Sequence, residues 1–262
     1  CSYCLIPYLR GRSRSRSMES VHAEATACGA REIVLTGIDI TSYRDGENDL
    51  GDLLLSLKDV PARIRLGSLE EGIVSREFLE KMKKAGNVCE HFHLSLQSGS
   101  DNVLRAMNRR YTREQYLQAC ALIGEFFPDA AVTTDIIVGF PTETEEDFMQ
   151  SLRIVGEAGL ARVHAFPYSP RPGTNAARRP PLPDSVKQER MARMLARAKE
   201  AEEAYLSRFA SRTLTALFES DGGYTANYIR VYAENAKEGG MYEVTLLERY
   251  RDGWHVRIEK EI

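Results

Sequence analysis

Two cysteines at the start of the chain, in the order Cys1-Ser2-Tyr3-Cys4, are the residues whose spacing most clearly indicates chemistry. A Cys-x-x-Cys pair occurs in zinc sites, in thiol–disulfide redox pairs and in iron–sulfur sites. A structural zinc ion needs a second pair of ligands, and no other Cys or His pair with suitable spacing occurs in the chain. A redox pair is expected to open a helix after a strand, whereas Pro7 and a basic segment follow here. The pattern therefore favours an iron–sulfur cluster.

The other three cysteines, Cys28, Cys89 and Cys120, have no disulfide-like spacing and are expected to be reduced thiols in the core. The chain has 262 residues, of which 43% are hydrophobic, and no apolar run is long enough to span a membrane. We therefore expect a soluble, cytoplasmic protein. Because residue 1 falls inside the cysteine motif, we expect the chain to be a fragment of a longer protein.

Arginines alternate with small residues directly after the cysteines, at Arg10, Arg12, Arg14 and Arg16. In an extended loop these side chains point to one side, which suits contacts with the phosphates of a nucleic acid. A run of charges is more often merely solvated, but its position beside the cysteines favours RNA. The net charge of −3 argues against binding through the overall field, so RNA contacts must be local.

The elements that must position these residues are predicted from periodicity. Five β-rich segments alternate with amphipathic helical segments such as 75–86 and 112–127, which is typical of parallel βα units. The predicted strands are 31–37, 63–68, 91–96, 131–139 and 162–169. Repeated βα units form an open sheet or a barrel.

Beyond the βα units the pattern changes twice. Five prolines in 169–185 indicate a connector, and a long helix follows. One face of that helix is predicted to pack on the barrel through Met191, Met194, Leu195, Ala198, Tyr205 and Phe209. From Arg212 on, short strands such as 224–234 and several glycines predict a small β-barrel. Its residues predicted to stack on or hold single-stranded RNA are Tyr224, Asn227, Tyr228 and Arg230, although some must be core.

Several long motifs resemble the radical S-adenosylmethionine (SAM) methylthiotransferase family. These are CSYCLIPYLRGRSRSRS, EIVLTGIDITSY, HFHLSLQSGSDNVLRAMNRRYT, TTDIIVGFPTETEEDF and HAFPYSPRPGT, in that order. The resemblance runs through nearly all of the chain and includes a last module that is similar to the RNA-binding TRAM domain. The doubled RGRSRSR and GYTANYIRV are most similar to the branch that modifies N6-threonylcarbamoyladenosine in tRNA.

The resemblance implies a partial (β/α)6 barrel, with residues 1–183 as barrel and connector, 184–210 as a packing helix and 211–262 as the TRAM-like barrel. The family's cluster loop is C-x-x-x-C-x-Φ-C, where Φ is aromatic. Tyr3 matches Φ, and Cys1 and Cys4 match the second and third ligands of a 4Fe-4S cluster, which leaves one iron free for SAM. The first ligand is then expected four positions before residue 1, after a first strand that also precedes the chain. An auxiliary 4Fe-4S cluster is expected in an N-terminal domain.

The resemblance also implies SAM contacts at the ends of the predicted strands. The candidates are Tyr3, Gly37, Glu70, Ser95, Gln97, Ser98, Arg110 and Asp135. Most have an ordinary structural alternative: Gly37 can serve only the backbone of a turn, Glu70 can cap a helix, and Ser95, Gln97 and Ser98 can cap the helix at Asp101. Asp135, inside an apolar strand, can form a buried pair with Arg110.

The activity that the resemblance implies is radical methylthiolation of C2 of N6-threonylcarbamoyladenosine next to the anticodon, with tRNA and SAM as partners and flavodoxin or ferredoxin as electron donor. Relatives of the family act on isopentenyladenosine in tRNA or on a ribosomal-protein aspartate, and these remain alternatives. A non-catalytic RNA-binding protein with a structural metal is the alternative from another class, since it also accounts for the cysteine pair and the small barrel.

Overall fold

The computed structural model describes residues 1–262, and its larger part is an α/β unit of parallel strands. These strands are β1 (Glu32–Leu35), β2 (Arg63–Leu66), β3 (His91–His93), β4 (Ala131–Val138) and β5 (Arg162–Pro167). β1 pairs with β2, and β4 lies between β3 and β5. Single bridges from Ile64 to Val88 and from Leu69 to Leu94 join the two groups. The predicted α/β class and all five strand positions are confirmed.

Helices connect the strands and cover one face of the sheet. They are α1 (Ile6–Arg10), α2 (Met18–Ala27), α3 (Leu50–Ser56), α4 (Arg76–Ala85), α5 (Asp101–Ala106), α6 (Arg113–Phe126) and α7 (Glu145–Glu157). Hydroxyl side chains start several of them: the Oγ1 of Thr112 accepts the backbone N–H of Gln115, and Thr144 caps α7 in the same way. The main hydrophobic core lies between these helices and the strands.

The two faces of each strand differ in polarity. In β2, Ile64 and Leu66 are in the core, whereas Arg63 and Arg65 point to the other face. In β3, Phe92 is in the core between His91 and His93. Strands of a parallel sheet usually bury apolar side chains on both faces. The polar face turned away from the helices therefore marks this side of the strands as a place for function.

The connector leads into α8 (Asp184–Ser207), which packs along β5 and α7. Met194, Ala198, Tyr205 and Phe209 are buried as predicted. The prediction for Leu195 is wrong: the residue is 53% exposed because it lines an open cavity beside Arg162 and His164 of β5. No helix of the chain is both long and apolar enough to cross a membrane.

A closed barrel of five strands follows α8. Its strands are β6 (Thr213–Glu219), β7 (Gly222–Thr225), β8 (Arg230–Tyr232), β9 (Met241–Tyr250) and β10 (Gly253–Glu261), in the spatial order β10-β8-β7-β6-β9. The single predicted strand 224–234 is wrong, because a turn separates β7 from β8. Tyr228 has φ +61°, and Thr225 Oγ1 donates to Asn227 Oδ1 across 2.6 Å while it accepts the backbone N–H of Ile229.

The cysteines outside the first motif differ in burial. Cys89 and Cys120 lie in the core, and burial raises the pKa of their thiols to about 11 and about 12. The predicted core position of Cys28 is wrong. Cys28 is the residue at which α2 ends, and its side chain is exposed.

Candidate functional site

The cysteine loop is held between α5 and the connector by Ser2. The backbone N–H of Ser2 donates to Met107 O at 2.8 Å, and its hydroxyl donates to Ala106 O at 2.8 Å. The carbonyl of Ser2 accepts the N–H of Ala176 at 2.9 Å. These three bonds fix the backbone between Cys1 and Cys4 to two distant parts of the chain.

Cys1 and Cys4 both line an open cavity of about 690 Å³. Cys1 is exposed, and the Sγ of Cys4 accepts the backbone N–H of Ile6 at 3.4 Å. The cavity wall contains Arg178 and Arg179 and no acidic side chain. Two thiols that face open space beside positive charge suit an anionic, thiolate-bound group. No set of three or more Cys, His, Asp or Glu side chains in the chain is arranged to hold a metal ion.

Tyr3 lies between the cysteines and points away from the solvent. Its ring packs edge-on against Phe140, with 6.2 Å between the ring centroids, in a small cluster that also contains Tyr168. Burial raises the pKa of its hydroxyl, against the lowering effect of Arg109, whose Nη2 donates to that hydroxyl at 3.3 Å. Phe140 and Tyr168 directly follow β4 and β5, so Tyr3 anchors the cysteine loop at the carboxyl ends of the strands.

Arg109 is the residue that sequence reasoning missed at this site. Its Nη1 donates to Glu70 Oε1 at 2.8 Å, while its side chain is only 10% exposed. Burial alone would lower the pKa of Arg109, but Tyr111, Tyr3 and Glu70 outweigh it and raise the pKa. Asn108 has φ +60° and turns the chain after α5, so that Arg109 points inward and Arg110 is exposed. The sequence signal, two adjacent arginines, does not distinguish which one faces the site.

The remaining SAM candidates on loops lie where three strands end. Glu70 follows β2, and its backbone N–H donates to Thr41 Oγ1 at 2.9 Å. Gly37 follows β1 and is exposed, and an added Cβ there would lie 3.0 Å from Ile40 Cγ2. The backbone carbonyl of Ser95 accepts the hydroxyl of Tyr111 at 2.7 Å. The side-chain hydroxyl of Ser95 takes no part in this bond and can therefore serve a ligand.

Gln97 and Ser98 have different surroundings although they are adjacent. Gln97 has φ +68°, and its backbone N–H donates to Asp135 O at 2.8 Å, which places it against β4. Ser98 is fully buried, with its Oγ 3.4 Å from the Oγ of Ser151 and accepting the backbone N–H of Ser100. Ser98 is therefore a buried residue whose hydrogen bonds stabilise the loop between β3 and α5.

Asp135 extends from β4 on the same face of the sheet as His93. Its Oδ2 lies 3.4 Å from His93 Nε2. Asp135 does not form the ion pair with Arg110 that the sequence offered as an alternative. The other ring nitrogen of His93 lies 3.0 Å from Thr133 Oγ1, which is also 3.0 Å from His91 Nε2. A continuous row of polar groups therefore runs along β3 and β4 from His91 at their amino ends to Asp135.

This row lines a cavity of about 400 Å³ that extends from Ser68, just after β2, to Tyr228 of the small barrel. Burial, and after it the charge of Arg65, lowers the pKa of His91 well below its ordinary value. Burial also lowers the pKa of His164, partly opposed by Asp135. The lowered pKa values favour the neutral imidazoles of His91 and His164 in this cavity. The signal that could have revealed it is the alternation of polar residues within β2 to β5, where apolar residues are expected.

The small barrel closes the amino end of this cavity. Tyr228 stacks on His91 with centroids 4.1 Å apart and an interplanar angle of 3°, and Tyr224 stacks behind it at 5.0 Å. Arg63 Nη2 donates to the carbonyl of Tyr224 at 2.8 Å. The Nδ2 of Asn227 donates to Asp129 O at 3.1 Å.

These contacts correct the predicted RNA-binding set. Asn227 is 5% exposed, and both faces of the Tyr228 ring are occupied, by His91 and Tyr224. The guanidinium of Arg230 lies over the ring of Tyr224 and is paired with Asp221. The aromatic and amide groups are therefore used to dock the small barrel on the larger unit. Arg10, Arg12 and Arg14, in contrast, are exposed as predicted.

We compared the chain with protein-family models, with curated proteins and with solved structures, and all three comparisons gave matches. Residues 1–155 match the family model described as the Radical SAM superfamily. The chain is 39% identical over 236 residues to the tRNA-2-methylthio-N(6)-dimethylallyladenosine synthase of Alkaliphilus oremlandii (strain OhILAs), a match that covers 87% of this chain and 50% of that protein. It is 34% identical over 286 residues to the Threonylcarbamoyladenosine tRNA methylthiotransferase MtaB of Bacillus subtilis (strain 168), covering 100% of this chain and 63% of that protein.

The chain thus spans about half the length of the curated relatives it matches. Among solved structures, the coproporphyrinogen III oxidase HemN of Escherichia coli, a radical SAM enzyme, is similar with a TM-score of 0.56 and 18% identity. This match covers 70% of this chain and 44% of that chain. At this identity the likeness concerns the fold.

Proposed function

The chain belongs to the radical SAM superfamily, and from this premise we propose that it is the catalytic core of an enzyme that attaches a methylthio group to an adenosine of tRNA. The observation that carries the proposal is the match to a threonylcarbamoyladenosine tRNA methylthiotransferase over 100% of this chain, including the cysteine loop. The relative named for the dimethylallyl nucleoside supports the same reaction type. Both relatives act on tRNA by name.

Cys1 and Cys4 are proposed to hold two corners of a 4Fe-4S cluster, and the motif assigns the third thiolate to a position before residue 1. The cavity beside the two thiols, with arginines and no acidic side chain in its wall, fits such an anionic group. A cluster held there would supply the one-electron reduction on which radical cleavage of SAM depends. An auxiliary cluster in an N-terminal domain is a further part of the proposal.

Residues at the carboxyl ends of the strands are proposed to bind and orient SAM. Arg109, held by Glu70 and Tyr3, presents a fixed positive charge beside the cysteine loop and suits a carboxylate. Gly37 allows SAM to approach the backbone closely. Ser95 and Gln97 offer uncharged polar groups, which form hydrogen bonds with SAM without repelling its charges. The enclosing side chains of Tyr3 and Phe140 exclude water from the place where the radical forms. Ser98 acts through its support of this loop.

The polar cavity supports threonylcarbamoyladenosine as the substrate. Its threonylcarbamoyl group carries a carboxylate, a hydroxyl and amide groups, all of which need hydrogen-bond partners when buried. The imidazoles of His93 and His164, together with Thr133 and Asp135, offer such partners inside the cavity or at its edge. A hydrocarbon substituent would leave these groups without partners.

The second candidate is methylthiolation of the dimethylallyl nucleoside. It is favoured by relatives of that name with 42% identity over 204 residues, covering 74% of this chain. In either case the proposed partners are tRNA, SAM and a small electron-transfer protein such as flavodoxin or ferredoxin. The closed barrel that follows residue 210 is proposed to be a TRAM-type domain, with residues 1–183 as the catalytic unit and 184–210 as the helix between them.

Nucleoside analysis of tRNA tests the proposal. In a strain that lacks the full-length gene, the methylthio derivative of threonylcarbamoyladenosine is expected to disappear and to return with the wild-type gene. Cys1→Ala and Cys4→Ala should fail to restore it, whereas Cys28→Ala, at an exposed cysteine away from the loop, should restore it. Loss of the dimethylallyl derivative instead would select the second candidate. An unchanged methylthio content would refute both.

A further inference from the structure

Three segments of the chain that are distant in sequence meet around the cysteines, and all three are rich in arginine. They are residues 1–17, 102–110 and 168–183, joined at Ser2 by its bonds to Ala106, Met107 and Ala176. Together they contain ten arginines, no lysine and no Asp or Glu. Since the whole chain has a net charge of −3, the remaining residues carry −13. The positive charge is therefore concentrated on one face.

Most of these arginines make no ion pair within the chain, although Arg105 donates to Asn102 Oδ1. Arg16 pairs with Glu24 and Arg109 pairs with Glu70, but the others named here have no carboxylate partner. We define the arginine collar as the eight exposed members without an ion pair in these three segments: Arg10, Arg12, Arg14, Arg105, Arg110, Arg171, Arg178 and Arg179. Arg178 and Arg179 line the same cavity as Cys1 and Cys4. The collar is therefore a set of free cations at the entrance to the site.

We infer that the arginine collar binds the phosphodiester backbone of the RNA strand on both sides of the nucleotide that enters the site. This inference rests on the proposed function and extends it, because Arg105, Arg171, Arg178 and Arg179 come from α5 and the connector. Exclusive use of arginine suits bidentate contacts with phosphate oxygens. Tyr224 and Tyr228 of the small barrel are occupied at the opposite end of the strands, whereas the collar lies beside the cysteines and is available to the backbone next to the reacting base.

The distribution of charge also fits RNA better than a folded acidic protein. The open cavity is lined by Pro7 and Tyr8 of α1 on the chain that leads to Arg10, Arg12 and Arg14, and by Arg178 and Arg179 of the connector. A strand that delivers a base into the cavity places phosphates on both sides of it. Neutralised phosphates release counterions, so binding must weaken steeply with salt.

Binding of a fluorescent anticodon stem-loop RNA to the full-length protein at several salt concentrations tests the inference. The double variant Arg178→Ala/Arg179→Ala should bind more weakly, and the slope of log K against log salt should become shallower by about 1.4–1.8, which is two phosphate contacts. Lysine at both positions should restore most of the slope. The matched control is Lys83→Ala/Lys84→Ala, two exposed neighbouring cations at the end of α4 without ion pairs, which should bind like the wild type.

The outcomes separate this inference from the proposed function. If the wild type binds the RNA but the Arg178/Arg179 variant keeps its full slope, the collar does not hold the backbone and the inference is overturned while the function stands. If the wild type itself does not bind the RNA, the proposed function fails. If RNA binding is intact and only reduction by flavodoxin becomes slower, with dithionite-driven cleavage of SAM unaffected, the collar docks the electron donor and the inference is likewise overturned.

Discussion

Arg109 joins the cysteine loop to the strand ends through two partners. Its guanidinium contacts Glu70 after β2 and the hydroxyl of Tyr3 between the cysteines, and its Nε is buried without a hydrogen-bond partner. A charged group held in this way is fixed before any ligand arrives, which lowers the cost of orienting one. The next residue, Arg110, is exposed and has none of these contacts.

Replacement of Arg109 by alanine should therefore lower kcat/KM for SAM cleavage by the full-length reconstituted enzyme by roughly 10- to 100-fold. The reason is the loss of hydrogen bonds to charged groups, each of which contributes about 1.5–3 kcal/mol. Release of 5′-deoxyadenosine measures the effect. Arg76→Ala, which removes an exposed surface pair with Glu125, is the control and should retain the wild-type rate. Equal losses in the two variants would contradict a role for Arg109 at the site.

Because of His91, the free energy of unfolding is expected to decrease as the pH falls. Burial keeps its pKa well below the ordinary value of 6.5, so below pH 6.5 the unfolded chain binds a proton that the folded chain does not. The contribution of His91 is thus complete above pH 6.5 and decreases as the pH falls. Between pH 7 and 5.5 the wild type should lose about 1 kcal/mol of unfolding free energy from this group.

His91→Phe keeps a ring for Tyr228 to stack on but cannot titrate, so its urea midpoint should change less over the same pH range. His22→Phe, on α2 and away from the cavity, should follow the wild type. If His91→Phe and the wild type have the same pH dependence, His91 does not contribute in this way.

At the scale of elements, Asp147 joins two helix starts. It completes the capping box of α7 with Thr144, and its Oδ1 accepts the hydroxyl of Ser100 at 2.5 Å and the amide of Asn102 at 3.3 Å, both at the start of α5. Asp147 is 3% exposed, and these hydrogen bonds lower the pKa of its carboxyl against the effect of burial. Because α5 leads directly to Arg109, the junction between α5 and α7 helps to position Arg109, although Asp147 does not itself touch the site.

Asp147→Ala should lower the unfolding free energy by about 2–4 kcal/mol, since it removes a helix cap and leaves buried donors without an acceptor. The comparison is Asp52→Ala, which breaks the corresponding capping box of α3 at a more exposed position and should cost about 1 kcal/mol. Urea denaturation of the full-length protein measures both. A cost for Asp147→Ala no larger than that for Asp52→Ala would show that the junction with α5 does not stabilise the fold.

At the scale of the whole molecule, the two ends of the parallel strands have different tasks. The carboxyl ends carry the cysteine loop, Arg109 and the arginine collar. The amino ends receive the small barrel through Tyr228, Asn227 and the carbonyl of Tyr224, which accepts a hydrogen bond from Arg63. Glu32 pairs with Arg63 and Arg65, which lowers the pKa of its carboxyl against the effect of burial. The small barrel is therefore attached by aromatic stacking and by backbone carbonyls that accept hydrogen bonds from Arg63 and Arg65.

Tyr228→Ala should loosen this attachment by about 2 kcal/mol or more, because a stacked aromatic side chain is lost from between two partners. Faster hydrogen exchange of the backbone amides between residues 225 and 231 and faster proteolysis near residue 210 are the expected signs. Tyr228→Phe should behave like the wild type, as should Tyr250→Ala, an exposed aromatic residue of the same barrel. Unchanged exchange in Tyr228→Ala would mean that the stack does not hold the two units together.

The sequence by itself determined the local features of this protein. Periodicity located all five parallel strands and the long helix, because the period of apolar residues is set by backbone geometry within each element. The spacing of Cys1 and Cys4 and the alternating arginines after them indicated the chemistry of the first segment, since both patterns lie within a few residues of one another.

Only the tertiary structure decided which side chains meet. Whether Arg109 or Arg110 faces the site depends on one left-handed residue, Asn108, and whether Asp135 pairs with His93 or Arg110 depends on the register of β3 with β4. Tyr228 fits an RNA-stacking residue equally well in the sequence, but the small barrel packs so that its ring lies on His91, 137 positions earlier. Contacts between distant segments depend on how whole elements pack, and no local pattern contains that information.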